Sequence, residues 1–262
     1  MKKLVLLSTA SLLLCASLAH AQLNLAWNNC ITQAASAADK VYACDGSANG
    51  TPFRAVFSFI SPANLDHFVG IQGVIDIRSS SLPTLPDWWK LGVGECRDGN
   101  FTYPNSLTGI GTGTTGVCRN PWAGANTGGG FAWYTENKGD IPDTPTLAPG
   151  WGRAKIAFAR DTETSLIQAQ QYIGGVFTID TFNDIDSGSG VCVGCALPAC
   201  LVLNQIELYQ TVGSPGGDIL VLTASDTRQF VTWQGGAVGG AGCPLTTPVR
   251  NVTWGSIKAI YR

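Results

Sequence analysis

Histidine is almost missing from this chain: 262 residues contain two, His20 and His67. A zinc enzyme wants two or three imidazoles around its metal, so the scarcity argues against His-based metal chemistry, and no metal site or cofactor is expected. A Ser-His or Cys-His nucleophilic site would have to use His67, and no G-x-S-x-G elbow accompanies it; no catalytic residue is assigned. Charged residues are also few, 13% of the chain, and form no basic cluster. Nucleic-acid binding rests on neutralising phosphates with Lys and Arg, so that class of partner is not expected. Beyond the N-terminus no apolar run reaches the roughly 18 residues needed to cross a bilayer, which leaves no transmembrane segment.

The N-terminus itself has the three parts of a secretory signal in order. Lys2 and Lys3 are followed by an apolar stretch from Leu4 to Leu18, then by Ala19-His20-Ala21, an A-x-A cleavage site. Cys15 does not read as a lipid-attachment site, because Leu14 stands where a small residue is required. The expectation is a signal peptide over 1–21 and a single disulfide-stapled domain over 22–262, in the periplasm, at the cell surface or outside the cell. Loss of Lys2 and Lys3 leaves 14 basic residues against 18 acidic ones, a net charge of −4. Loss of His20 leaves His67 as the sole imidazole.

Nine cysteines become eight once Cys15 departs: Cys30, Cys44, Cys96, Cys118, Cys192, Cys195, Cys200 and Cys243. An even number in an exported chain reads as four disulfides. Locality favours Cys30–Cys44 and Cys96–Cys118, with Cys195–Cys200 and Cys192–Cys243 taking up the rest. Two other readings of the run from Cys192 are weighed against this. Cys192-Val-Gly-Cys195 as a redox pair would open a helix in a thioredoxin-like setting, yet its surroundings are rich in Gly, Ser and Pro. A four-thiolate zinc site from Cys192, Cys195, Cys200 and Cys243 requires free thiolates, which export disfavours.

With 32 glycines and few charges, the composition suits a turn-rich β protein. Period-two alternation predicts strands at Phe53 to Ile60, Val69 to Ile77, Arg153 to Arg160, Tyr172 to Phe182, Leu201 to Tyr209, Asp218 to Thr223 and Gln229 to Gln234. In the second of these Val69, Ile71, Ile75 and Ile77 share one face, and Gln72, Asp76 and Arg78 the other. Glycine-rich stretches, among them Ala123 to Gly130, read as connections. Helical spacing is confined to an Ala-rich segment, Cys30 to Val41, which reads equally as irregular, and to a short C-terminal helix capped by Thr253. The expected fold is all-β: an antiparallel, jelly-roll-like β-sandwich with that short C-terminal helix.

The last 70 or so residues carry a pattern of their own. It runs through Cys192-Val-Gly-Cys195, Pro198-Ala-Cys200 and Leu203-Asn204-Gln205-Ile206. It continues in Val231-Thr-Trp233-Gln-Gly-Gly236, Gly242-Cys243-Pro244 and Thr253-Trp-Gly-Ser-Ile-Lys258. The pattern resembles a group of uncharacterised secreted bacterial proteins with no known activity. That resemblance implies export and assigns no site.

Eight tryptophans are many for this length. Neighbours on an extended strand face opposite ways, so Trp88-Trp89 and Trp133-Tyr134 are each expected to expose one ring. Such rings stack on sugar faces or seal the end of a sandwich. Trp88, Trp89, Trp133 and Tyr134 are therefore the candidate binding residues, and carbohydrate or another extracellular protein the expected partner. The rival reading is a secreted glycoside hydrolase using a carboxylate pair, Asp161 with Glu163 or Asp87 with Glu95. Asn183-Asp-Ile-Asp-Ser-Gly188 offers oxygen ligands suited to calcium, but it lacks the glutamate of an EF-hand and reads first as a turn.

Overall fold

The computed structural model describes residues 22–31, 36–45, 52–79, 84–99, 101–102, 110, 118–135, 147, 149–181, 184, 191–223, 229–236 and 243. The expected signal peptide and C-terminal helix lie outside these residues, as does the calcium-type turn apart from Asp184. Among them the chain is all-β. In order the strands are β1 (Gln22–Trp27), β2 (Asp39–Lys40), β3 (Phe53–Ile60), β4 (Leu65–Ser79), β5 (Phe101–Thr102), β6 (Thr127–Thr135), β7 (Trp151–Leu166), β8 (Gln171–Ile179), β9 (Ala199–Gln210), β10 (Ile219–Thr223) and β11 (Phe230–Trp233). A single 3-10 turn, Asp87–Trp89, is the one helical element among them. In the Ala-rich segment, Ala37 bridges to Trp27 and Asp39–Lys40 pair with β11, so these residues are extended.

Two unequal sheets pack as a sandwich. The smaller runs β1-β3-β8-β5; the larger runs β2-β11-β9-β4-β7-β6, with β10 pairing β9 beside β11. All pairings are antiparallel except β2 with β11. The alternation explains which side of each strand is covered. Leu23, Leu25 and Trp27 of β1, and Ile71, Ile75 and Ile77 of β4, are buried with Ala154, Ile156 and Phe158 of β7 and Leu201, Leu203, Ile206 and Leu208 of β9. β8 is buried along its whole length. Its Gly174-Gly175 step admits two rings at the centre of the core. A Cβ on Gly174 would lie 2.5 Å from the Phe57 ring, and one on Gly175 2.3 Å from the Phe158 ring.

The sandwich end where β1 and β11 finish and β3 begins is sealed by aromatics. Trp233 lies at its centre, with ring centroids 5.1 Å from Phe53, 5.5 Å from Trp89, 5.9 Å from Trp88 and 6.1 Å from Trp27. Its indole N–H donates to Cys195 O at 2.6 Å, while Trp27 donates to Thr232 O at 2.9 Å.

Four disulfides are formed among the described residues, and the local pairing expected from the sequence is overturned. The bridges are Cys30–Cys118, Cys44–Cys195, Cys96–Cys192 and Cys200–Cys243, closing separations of 88, 151, 96 and 43 residues. Short-loop closure is the wrong guide because spatial neighbours here are far apart in sequence. Loops of these lengths give about 4–5 kcal/mol per bridge in the chain-entropy model, more than the short loops would. Cys192 and Cys195 bind two different loops, one carrying Cys96 and the other Cys44. That excludes both the C-x-x-C redox pair and the four-thiolate zinc site in this structure. No described helix is long and apolar enough to cross a membrane.

Candidate functional site

The sequence-derived candidates separate cleanly. Trp88 and Trp89 are both fully buried, because their segment is a 3-10 turn entered from Pro86 and not a strand. Period-two geometry does not apply to a turn, so both rings go inward. The Trp88 backbone N–H donates to Val193 O at 3.0 Å, and the Arg97 guanidinium lies over the Trp88 ring at 3.5 Å. Neither ring offers a face to a sugar. Trp133 is also buried, packed over Gly152 and against Phe131. Tyr134 does point outward, 5.9 Å from Lys155 Nζ.

The candidate carboxylates hold loops together. Asp161 accepts from the Asn126 side chain at 2.6 Å and its backbone at 3.1 Å. Glu163 accepts from the Thr211 hydroxyl and lies 2.8 Å from His67 Nδ1. The Asn126 side chain holds the Asp161 pKa below the ordinary carboxylate value, and Thr211 followed by His67 does the same for Glu163. A carboxyl held ionised has no proton to give a leaving group, the task a glycosidase acid must perform. Asp87 pairs with Lys90 at 2.6 Å, and Glu95 caps the backbone N–H of Gly92 at 2.7 Å. Asp184 is buried and accepts from Tyr42 Oη at 2.5 Å. Among the described residues no His, Cys, Asp and Glu cluster suits a metal ion.

The outer face of the larger sheet carries a different constellation. Strand pairing sets its side chains in rows that cross five strands. One row is Gly128, Ala159, Gly70, Tyr209 and Ile219; the next is Gly130, Ala157, Gln72, Glu207 and Val221, each on β6, β7, β4, β9 and β10 in turn. Ala132, Lys155, Val74, Gln205 and Thr223 form a third. Glycine and alanine keep the floor low at the β6 end. Added Cβ atoms on Gly128 or Gly130 would meet nothing within 4 Å. A cavity of about 440 Å³ opens over this floor, bounded by Tyr209, Gln72 and Val69.

Beside the floor one carboxylate gathers three donors. Glu207 accepts from Tyr209 Oη at 2.5 Å, Gln205 Nε2 at 2.6 Å and Gln72 Nε2 at 3.2 Å. Partial burial, and then the bond to Glu207, push the Tyr209 phenol up to about 12; burial and Asp184 push Tyr42 up to about 12 as well. A phenol whose folded pKa is raised adds stability that is complete below pH 10 and is lost as pH climbs from 10 through 12. Ultraviolet titration of the native protein should therefore show two of the six tyrosines ionising near pH 12. Ionisation of all of them near pH 10 would contradict these hydrogen bonds.

The same face closes toward its other end. Asp76, Arg78, Cys200 and Val202 lie on the outer side yet are buried. Cys243, bonded to Cys200, packs there with Val202 and Phe230. The outer face is thus divided into a covered half and an open half. No protein family, curated protein or solved structure matches this chain.

Proposed function

We propose that the protein is an exported, non-catalytic β-sandwich that binds carbohydrate on the open half of its larger sheet. The observation that carries this reading is the Tyr209, Glu207, Gln72 and Gln205 cluster beside a cavity floored by Gly and Ala. Protein sites for small ligands combine apolar surface with a few placed polar groups. Here Tyr209 supplies a ring wall, while Glu207 and two amides are fixed by one another and present acceptors and donors for hydroxyls. The four disulfides and the tripartite N-terminus support folding outside the cytoplasm. The resemblance of the C-terminal pattern to secreted bacterial proteins agrees with it.

Gly130→Leu separates binding from folding. A Cβ there would meet nothing within 4 Å, the added side chain points into the cavity, and leucine is compatible with the strand, so unfolding free energy should stay within about 0.5 kcal/mol of the parent. Retention of glycans that the parent binds on an array should fall by about tenfold or more. Full retention by this variant would move the site elsewhere, and an array on which the parent binds nothing would refute the carbohydrate reading.

A further inference from the structure

We infer that the ligand is an uncharged, straight polysaccharide chain with equatorial, β-type linkages, lying across the strands from β6 to β10. This rests on the carbohydrate reading above and narrows it to a class. The length comes from the register. Gly130, Ala157, Gln72, Glu207 and Val221 occupy five adjacent strands. Four inter-strand steps of roughly 4.8 Å span roughly 19 Å, room for about four sugar rings and far more than one.

The shape comes from the floor. Glycine and alanine on β6, β7 and β4 leave a low, even bed, and Ile219 and Val221 at the far end are half-exposed apolar side chains. A chain linked through equatorial bonds is a flat ribbon, with C–H groups on its faces and hydroxyls on its edges. Its faces match the small-residue bed and the aliphatic end, and its edges meet the Glu207 cluster midway. An axially linked chain coils and would touch this bed at one ring only.

The absence of net charge comes from the partners. Glu207 is satisfied by three donors. At the upper border Asp161 is held by Asn126, and Glu163 by Thr211 and His67. Below, Arg153 is engaged by Asp76. The row that the chain would follow, from Gly130 to Val221, holds no cation; Lys155 stands on the row beneath, its Nζ 5.9 Å from the Tyr134 ring, and a polyanion on the central row would meet the Glu207 carboxylate.

The full mature chain should be titrated with cello-, xylo- and chito-oligosaccharides of two to six units, beside maltohexaose and oligogalacturonate. Affinity in at least one β-linked series should rise about tenfold or more from the dimer to the tetramer and then level off, and Gly130→Leu should remove that rise. Equal affinity for dimer and hexamer, or a preference for the α-linked or acidic chains, would overturn this inference. With Gly130→Leu still blocking them, the site would stand. Binding to none of the carbohydrates would overturn the inference and the reading beneath it together.

Discussion

Trp233→Ala is expected to lower the unfolding free energy by about 5 kcal/mol. Removing a buried Trp or Phe side chain costs about 3–5 kcal/mol through lost transfer energy and the cavity left behind. At this position the neighbours are other rigid rings, Trp27, Trp88, Trp89 and Phe53, which hold one another and cannot collapse into the space. The deletion also deprives the Cys195 carbonyl of its 2.6 Å donor; Gln234 Nε2, at 3.4 Å, replaces it poorly. A buried acceptor left short adds about 1–3 kcal/mol. Against a total of about 5–15 kcal/mol for an ordinary domain, this is a large share. Urea unfolding with the disulfides intact measures it, and Trp233→Phe, which keeps a ring but loses the donor, should recover about half. A loss below about 2 kcal/mol for the alanine variant would mean that the aromatic cap contributes little to folding.

That cap also shows where local sequence reading succeeds and where it stops. Alternation located the segments that become β3, β4, β7, β8, β9, β10 and β11, because half-buried strands must place apolar side chains on every second residue. It missed β6, where Gly128-Gly129-Gly130 reads as a loop. There the glycines serve an outer bed and a close inner approach, since a Cβ on Gly129 would lie 2.9 Å from Ala157 O. The alternation of Leu23, Leu25 and Trp27 in β1 is short and follows closely on the apolar run of Leu4 to Leu18, so it does not stand out as a separate strand. The tryptophan pair misled for a definite reason. Pro83 and Pro86 just ahead of Trp88 were the available sign that the segment is not a strand.

The candidate site was invisible for a different reason. Gln72, Gln205, Glu207 and Tyr209 each read as outward-facing, but nothing local says that they meet. Their meeting depends on register, and register depends on irregularities: β4 gains a residue between Phe68 and Gly70, and β9 gains Asn204. A one-residue slip would send each side chain to the opposite face. The disulfides depend on topology in the same way. Cys30 and Cys118 come together only once the strands between them have been sorted into two sheets.

The closed half of the outer face provides the second large effect. Asp76 is buried between two guanidinium groups: Arg153 grips it with Nε at 2.6 Å and Nη2 at 2.9 Å, and Arg78 Nη2 stands at 3.7 Å. Arg78 is itself buried, stacked over Trp151 at 4.0 Å, and that burial pushes its pKa below the ordinary value while Asp76 opposes the shift. Asp76→Ala removes the carboxylate that faces this buried cation and should cost about 3–5 kcal/mol, the range for breaking a desolvated pair from one side. Arg153→Met should cost clearly less, since Asp76 then still answers Arg78 and the lost cation was the one nearer water. Replacing Asp76, Arg78 and Arg153 together by Leu, Met and Met should recover most of the loss, because no charge is left to desolvate. Urea unfolding of the three variants tests the order. If the single Asp76→Ala change proved as mild as Arg153→Met, the outer face at Arg78 would have to be open to water, and the division into a covered and an open half would fall with it. The proposed glycan site depends on that division, since the covered half would confine a bound chain to the rows above it.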